Sequence, residues 1–299
     1  MSIFSRAEAS TEARARNLMS LTNESVAVVT GAASGIGRAL AARLAAEGVA
    51  GLALSDVNEE GLSETARLIG ARPSLRLTAH VVNVADLGQM RGFAADVIAR
   101  HGRVTHLVNN AGVSLFGTVE EVSLEDIEWL MGVNFWGTVY GVKLFLPVLR
   151  EQASAHVVNV SSVFGFIAPP GNAAYCASKF AVRGFTESLR HELEGTSVAV
   201  SCVHPGGVAT DIARAGRLGE RADASERDAL VNFHTKASRT TADEAARAIV
   251  RGIRRRSKRI LVGADARLID AVHRAAPVGY LSVMDRLSGG QLSKLRKKP

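Results

Sequence analysis

The sequence predicts a doubly wound α/β domain, in which helices cover both faces of a parallel sheet. Short β-branched runs alternate with longer amphipathic stretches along most of the chain, and this alternation is typical of strand–helix–strand units. With 299 residues, 47% of them hydrophobic and 22% charged, the chain can bury a core without disulfide or metal staples. The composition therefore excludes a disordered protein.

Seven short apolar runs are predicted as strands. In chain order they read VAVVT (26–30), GLALSD (51–56), LTAHVV (77–82), THLVN (105–109), HVVNVS (156–161), AVSCVH (199–204) and RILV (259–262). Stretches with apolar residues at helical spacing lie between them and are predicted as helices: 35–47, 59–69, 86–101, 123–150, 175–194 and 241–256. Residues 211–239 break this pattern with glycines and many charges, so we expect a mobile lid there. The chain thus divides into an N-terminal extension (1–24), one domain (25–262) and a C-terminal extension (263–299).

The formal charge of +7 is concentrated at the end of the chain. Residues 251–299 hold 13 basic and 3 acidic side chains, whereas the first 250 residues hold 23 basic and 26 acidic ones. Cys176 and Cys202 have no zinc-site spacing, so we expect reduced thiols and no metal. No stretch has the character of a signal peptide or a membrane span, which favours a cytoplasmic protein.

A glycine-rich turn, TGAASGIG (30–37), follows the first strand and opens a helix. Gly31 would permit the tight turn, and Gly35 and Gly37 would let the backbone approach a pyrophosphate at the helix N-terminus. The spacing is GxxxGxG rather than GxGxxG, so an ordinary strand-to-helix turn is the alternative.

Asp56 ends the second strand, 19 residues beyond Gly37. A carboxylate there would accept hydrogen bonds from an adenine ribose and repel a 2′-phosphate, which favours NAD over NADP. Arg38 favours the opposite choice, because a guanidinium at the helix start could meet a 2′-phosphate. The motif NNAG (109–112) places further polar and small residues at the end of the fourth strand.

Tyr175 and Lys179 lie four residues apart and therefore on one face of the predicted helix. A nearby ammonium and a cationic nicotinamide would both favour the phenolate of Tyr175 and lower its pKa. Such a pair would serve general acid–base chemistry at an alcohol or carbonyl; a surface lysine above a buried tyrosine is the structural alternative. Ser162, at the end of the fifth strand, could bind the same substrate oxygen, with Ser161 as its rival. Asn134 lies inside a helical region, where an amide predicts a local break or a bound water, or else an exposed helix residue.

Taken in this order, TGAASGIG, NNAG, Asn134, Ser162, YCASK (175–179) and PGGVAT (205–210) resemble the classical short-chain dehydrogenase/reductase family. The resemblance covers about residues 25–262. It implies a single Rossmann-type domain with a seven-stranded parallel sheet, a nicotinamide dinucleotide at the carboxyl ends of the strands, and a homodimer or homotetramer.

The resemblance also implies a role for each matching residue. Tyr175 would be the general acid/base, Lys179 would lower its pKa and bind the nicotinamide ribose, and Ser162 would orient the substrate. Asn134 would hold a proton-relay water. Asn83 stands where relatives carry an acid that meets adenine. The residues expected around the cofactor are Gly31, Ser34, Gly35, Ile36, Gly37, Asp56, Asn83, Val84, Asn109, Ala111, Gly112, Tyr175, Lys179, Pro205, Gly206, Val208 and Thr210.

The expected reaction is hydride transfer between NAD and a medium-sized apolar secondary alcohol or ketone. Apolar residues near the motifs would wall the pocket, with core packing as the alternative for each: Leu115, Phe116, Phe164, Phe166, Ile167, Ile212 and Phe233. Other readings are an NADPH-dependent carbonyl reductase and a non-catalytic dinucleotide sensor, although a sensor would not need the Tyr175, Lys179 and Ser162 set. We expect no nucleic-acid partner, because the basic tail carries only Tyr280 as a stacking residue.

The tail has two interpretations. Residues 266–287 are amphipathic, with a break at Pro277 and arginines at 267, 274 and 286. They would form either a basic helix peripheral to an anionic membrane or an arm that packs on its own domain or on a neighbouring subunit, with 294–298 as a solvated end.

Overall fold

The computed structural model of the chain describes residues 21–220, 239–287 and 290. The strands within these residues are β1 Val26–Thr30, β2 Gly51–Asp56, β3 Arg76–Val81, β4 His106–Asn109, β5 Leu115–Phe116, β6 Ala155–Val160, β7 Val198–Pro205, β8 Val208–Ala209, β9 Arg217–Leu218, β10 Thr240–Thr241 and β11 Arg259–Val262. The helices are α1 Gly35–Ala46, α2 Glu59–Ile69, α3 Leu87–His101, α4 Leu124–Met131, α5 Gly137–Arg150, α6 Ala173–Glu192, α7 Ala242–Arg254, α8 Ala264–Ala275 and α9 Tyr280–Leu287, with a π-helix at Gly132–Trp136 and a 3₁₀ turn at Val163–Gly165.

Seven of the strands form one parallel sheet in the order β11-β7-β6-β4-β1-β2-β3. The chain runs outward from β1 through β2 to β3, then returns to β4 and continues outward in the other direction. The strand order therefore reverses between β1 and β4, and in doubly wound folds ligands bind at the carboxyl ends of the strands at this point. The predicted fold class, an α/β domain with a seven-stranded parallel sheet, is confirmed.

Both faces of the sheet are covered by helices. The side chains of β1 alternate between the two faces and pack in two apolar layers. Ala27 and Val29 pack in one layer with Leu40 of α1, and Val28 packs in the other layer with Phe145 of α5. Every residue of β1 is buried, as expected for a central strand of a parallel sheet.

The helical region 123–150 is interrupted where the sequence predicted a break. The π-helix at Gly132–Trp136 separates α4 from α5 and contains Asn134. The two-residue strands β5, β8, β9 and β10 were not predicted; they pair as β5 with β9 and β8 with β10. Two residues are too few to carry a hydrophobic period, so the sequence gives no signal for them.

The C-terminal extension forms two helices, α8 and α9, on either side of the predicted break at Pro277. Ala266 and Asp270 of α8 are buried, so this part of the arm packs on its own domain. Within the described part of the chain, no helix is long and apolar enough to cross a membrane. Most of the predicted lid, most of the N-terminal extension and residues 294–298 lie outside the described residues.

Candidate active site

The glycine-rich turn packs directly against the segment that follows β4. Gly31 has φ +66°, a left-handed conformation that favours glycine, and an added Cβ would lie 2.7 Å from the Cα of Ala111. A Cβ on Gly37 would collide with the carbonyl oxygen of Gly31. These glycines allow the turns after β1 and β4 to meet at the reversal point of the sheet.

The start of α1 offers a site for an anion. Ser34 is the N-cap residue but makes no side-chain capping hydrogen bond, and the first turn contains no acidic residue. Amide groups at a helix N-terminus lack intrahelical partners and favour negative charge. An added Cβ on Gly35 would lie 3.1 Å from the side chain of Thr210, so the PGGVAT segment closes over this turn. Ile36 is partly buried in the first turn of α1. The free backbone N–H groups at the start of α1, closed over by the PGGVAT segment, fit a pyrophosphate.

Asp56 and Arg38 both face the chain's own backbone near this turn. Asp56 accepts from the backbone N–H groups of Ala33 (3.0 Å) and Asn58 (3.1 Å). The Arg38 guanidinium donates to Thr65 Oγ1 (3.1 Å) and to the carbonyl oxygens of Gly61 (3.3 Å) and Ala33. Arg38 is therefore held against α2, while Asp56 stays at the carboxyl end of β2.

The amides of the NNAG motif point in different directions. Asn109 is buried and donates to Asn159 Oδ1 (2.8 Å), so the structure does not bring its side chain to the site. Asn110 was not among the predicted site residues; its Nδ2 donates to the carbonyl oxygens of Thr30 (3.0 Å) and Gly31 (3.1 Å). The sequence feature that could have identified it is a polar side chain directly after the predicted fourth strand.

Tyr175, Ser162 and Lys179 come together at the carboxyl end of β6. The Ser162 hydroxyl interacts with the Tyr175 phenol and favours its phenolate, and Lys179 Nζ lies 5.7 Å from the centre of the Tyr175 ring. Lys179 is buried and donates from Nζ to the carbonyl oxygen of Val160 (3.2 Å). The rival serine, Ser161, donates to the main-chain carbonyl of Lys179 (2.8 Å) and faces away from the tyrosine.

The pKa of Tyr175 differs from the sequence expectation. Burial raises the pKa of Tyr175 to about 12, against a smaller lowering by the Ser162 hydroxyl. Burial lowers the pKa of Lys179 to about 8. Lys179 is not among the causes of this shift, so the expected lowering of the tyrosine pKa is absent in the chain alone, and desolvation of the phenolate dominates.

Asn134 uses its whole side chain to hold the segment after β4. Its Oδ1 accepts from the Val113 N–H (2.8 Å), and its Nδ2 donates to the Val113 carbonyl (3.1 Å) and to Ser178 Oγ (3.0 Å). Its own carbonyl accepts from Thr138 Oγ1 (3.0 Å). A Cβ on Gly112 would lie 3.2 Å from both Asn134 Oδ1 and Lys179 Nζ, so these two side chains converge on Gly112.

The PGGVAT segment is held by Asp265, which was not among the predicted site residues. Asp265, in the first turn of α8, accepts from the Gly207 N–H (2.6 Å), and its carboxylate fills the space beside Gly206. Pro205 ends β7, and Val208 of β8 is buried beside β10. The sequence shows an acidic residue two positions after Gly263, but no local pattern indicates its contact with Gly207, which lies 58 positions earlier.

Asn83 and Val84 follow β3 on the other side of the reversal point. Asn83 Oδ1 accepts from the Ala85 N–H (3.0 Å) in a local turn. Val84 is buried, and an added Cβ on Gly137 would lie 2.8 Å from its side chain. Both residues stay at the carboxyl edge of the sheet, where an adenine ring could lie.

The predicted pocket residues separate into two groups. Phe164 packs edge-on against the Tyr175 ring with 6.0 Å between ring centres, and Ile212 is exposed. Four others are buried, each at most 5% exposed: Leu115, Phe116, Phe166 and Ile167. Phe233 lies outside the described residues.

Comparison with known proteins identifies the family. Residues 25–221 match the family model described as short chain dehydrogenase, and the chain belongs to the short-chain dehydrogenase/reductase family of oxidoreductases. Its sequence is 42% identical over 265 residues to the putative oxidoreductase SadH of Mycobacterium tuberculosis, covering 88% of this chain and 94% of that protein.

Solved structures agree with this assignment. A short-chain dehydrogenase/reductase from Burkholderia phymatum in complex with NAD superposes with a TM-score of 0.76 at 32% identity, covering 85% of this chain and 94% of that one. An alcohol dehydrogenase from Thermococcus sibiricus complexed with 5-hydroxy-NADP superposes with a TM-score of 0.68 at 25% identity, covering 80% and 96%.

Proposed function

We propose that the protein is an NAD-dependent dehydrogenase that interconverts a medium-sized apolar secondary alcohol and its ketone. The observation that carries this proposal is the convergence of Tyr175, Ser162 and a buried Lys179 at the carboxyl edge of the sheet, the edge on which the glycine turn also lies. The naming of SadH as a putative oxidoreductase supports it. Residues 25–262 are the proposed catalytic domain, and a homodimer or homotetramer is the proposed assembly.

In the proposed reaction the nicotinamide ring supplies the hydride acceptor for alcohol oxidation and the donor for ketone reduction. Tyr175 takes the hydroxyl proton of the alcohol or returns it to the ketone oxygen, and the Ser162 hydroxyl orients that oxygen. Lys179 uses one N–H on Val160 and keeps two for ribose hydroxyls and for a proton relay. The Asn134 carbonyl, which accepts from Thr138 Oγ1, is the proposed binding point of a relay water.

The proposed preference for NAD rests on Asp56 and Arg38. The Asp56 carboxylate is fixed beside the glycine turn, where it would accept hydrogen bonds from the ribose diol and repel a 2′-phosphate. Arg38 is engaged by Thr65 and by two backbone carbonyls, so its guanidinium is committed to the chain itself. The apolar faces of Phe164 and Ile212 support an apolar substrate.

The test replaces Tyr175 by Phe and compares NAD binding with turnover. We expect the dissociation constant for NAD to stay within about twofold and the oxidation of 2-alkanols from 2-butanol to 2-decanol to fall by at least about 100-fold. Tyr140→Phe is the matched control and should turn over normally, since Tyr140 lies in α5 and its ring stacks on Trp136 of the π-helix. Retained turnover in Tyr175→Phe, or a wild-type preference for NADP, would contradict the proposal.

A further inference from the structure

The segment after Ser162 is covered by residues that lie outside the candidate site. Phe166 is 1% exposed, and its ring centre lies 4.2 Å from that of His204 on β7. The guanidinium of Arg259, on β11, lies 4.1 Å from the centre of the Phe166 ring, and that of Arg183, on α6, lies 5.3 Å from it. Arg183 also donates to the Gly165 carbonyl (3.2 Å). Phe166 is thus the anchor of the segment 162–168.

The C-terminal arm, α8 and α9, closes over the same segment. His273 of α8 stacks near Phe166 with 6.4 Å between ring centres, and Tyr280 of α9 packs on His273 at 5.6 Å. The Tyr280 hydroxyl accepts a hydrogen bond from the Ala168 N–H (2.9 Å). The far end of the segment is therefore tied to a residue 112 positions later in the chain.

The near end of the segment is tied through His204. Burial lowers the pKa of His204 to about 3, so the ring is neutral at physiological pH. Its Nδ1 lies 3.1 Å from the Ser162 carbonyl oxygen, which can only accept, so Nδ1 carries the proton and donates it. One ring therefore contacts both the main chain of Ser162 and the face of Phe166.

Asp270 secures the arm to this cluster. It is buried in α8 and forms ion pairs with Arg259, which lies over Phe166, and with Arg274 (3.1 Å). Because Arg259 touches both Phe166 and Asp270, a displacement of α8 would be transmitted to the ring that anchors the segment. Interiors are close-packed and transmit such strain.

We propose that the C-terminal arm is a positioning element for Ser162, with Tyr280 as its positioning residue acting through Ala168. The proposal rests on the proposed function, in which Ser162 orients the substrate oxygen. Proton transfer requires this hydroxyl to sit within hydrogen-bond reach of the substrate, and a displacement of about 1 Å can cost about 100-fold in rate. The arm lies beyond the residues of the family match, which end at 221, so this support is built from a different part of the chain.

The test uses Tyr280→Phe in the full chain, which removes the hydroxyl and keeps the ring on His273. We expect kcat for 2-octanol with NAD to fall about 3- to 10-fold while the dissociation constant for NAD stays within about twofold. Hydrogen exchange of the peptide containing residues 162–168 should become at least about threefold faster. Tyr140→Phe should change neither quantity.

The hydrogen-exchange measurement distinguishes a failure of the proposed role of the C-terminal arm from a failure of the proposed function. If wild-type protein oxidises no 2-alkanol, the proposed function fails, and unchanged exchange in Tyr280→Phe would still overturn the arm's role. If the protein is active, equal kcat for Tyr280→Phe and wild type would overturn it. A fall in kcat together with faster exchange of the segment, at unchanged thermal midpoint, supports positioning rather than a general loss of stability.

Discussion

At the scale of the residue, the proposed preference for NAD over NADP depends on two charged side chains near the glycine turn. The Asp56 carboxylate accepts hydrogen bonds from the backbone N–H groups of Ala33 and Asn58, which fixes its negative charge in place. The Arg38 guanidinium donates to Thr65 and to backbone carbonyls. The fixed anion and the engaged cation are the basis of the proposed preference for NAD over NADP.

We predict that Asp56→Asn reduces the selectivity for NAD over NADP. Removing the charge removes the repulsion of a 2′-phosphate, and an amide still accepts a hydrogen bond from Ala33. The ratio of kcat/KM for NAD to that for NADP should fall by about 10-fold or more, since one charge interaction at this distance is worth about 1–2 kcal/mol. Steady-state kinetics with both cofactors measures the ratio.

Arg38→Met provides the comparison for this prediction. Because Arg38 is tied to its own chain, its loss should leave the affinity for NADP unchanged within about twofold. A large loss of NADP binding in Arg38→Met, with an unchanged ratio in Asp56→Asn, would instead support the NADPH-dependent reading.

At the scale of the element, the sequence predicts those helices and turns whose residues lie within one short stretch of the chain. The helix over 59–69 is predicted at its observed bounds, and a capping Asn58 and Gly70 (φ +70°) flank it. The glycine turn and the Tyr175–Lys179 pair were also visible, because each is contained within a few residues. The contacts of Asp265 with Gly207 and of Tyr280 with Ala168 span 58 and 112 positions. No local period in the sequence corresponds to contacts between residues so far apart, so neither contact was predicted.

One contact between elements was equally hidden. Helix α5 passes the end of β4 so closely that Gly141 leaves no room for a Cβ beside Asn109 Oδ1. Asn109 donates to Asn159 (2.8 Å), and Asn159 donates to Thr186 Oγ1 of α6 (3.0 Å). This buried chain of hydrogen bonds joins two strands to a helix, and buried polar groups are costly to unpair.

We predict that Gly141→Ala and Gly92→Ala have opposite effects on stability. The Gly141 methyl group would displace Asn109 and lower the free energy of unfolding by about 2 kcal/mol or more. Gly92, in α3, is exposed with no atom within 4 Å of an added Cβ, so its replacement should raise the free energy of unfolding by about 0.5–1 kcal/mol. Denaturant unfolding measures both; a Gly141→Ala protein as stable as wild type would contradict the packing argument.

At the scale of the whole molecule, the basic end of the chain contributes to the structure. Several of its arginines are engaged within the domain: Arg254 pairs with Glu47, Arg256 donates to Ser197 (2.8 Å), and Arg259 and Arg274 pair with Asp270. These contacts join α7, β11 and α8 to the rest of the domain. Part of the positive charge at the end of the chain is thus used to attach the C-terminal arm to the domain.

Two buried histidines, His204 and His156, make the stability of the molecule sensitive to acid. Burial lowers the pKa of His204 to about 3 and that of His156 well below its usual value, so the unfolded chain binds more protons than the folded one between pH 6.5 and about 3. Stability must therefore decline as pH falls through this range. His204 alone should contribute a loss of about 2 kcal/mol at pH 5. Denaturant unfolding at pH 7 and pH 5 measures it: His204→Asn should lose correspondingly less on acidification, the exposed His191→Asn should lose as much as wild type, and equal losses in all three would show that His204 is protonated in the folded state.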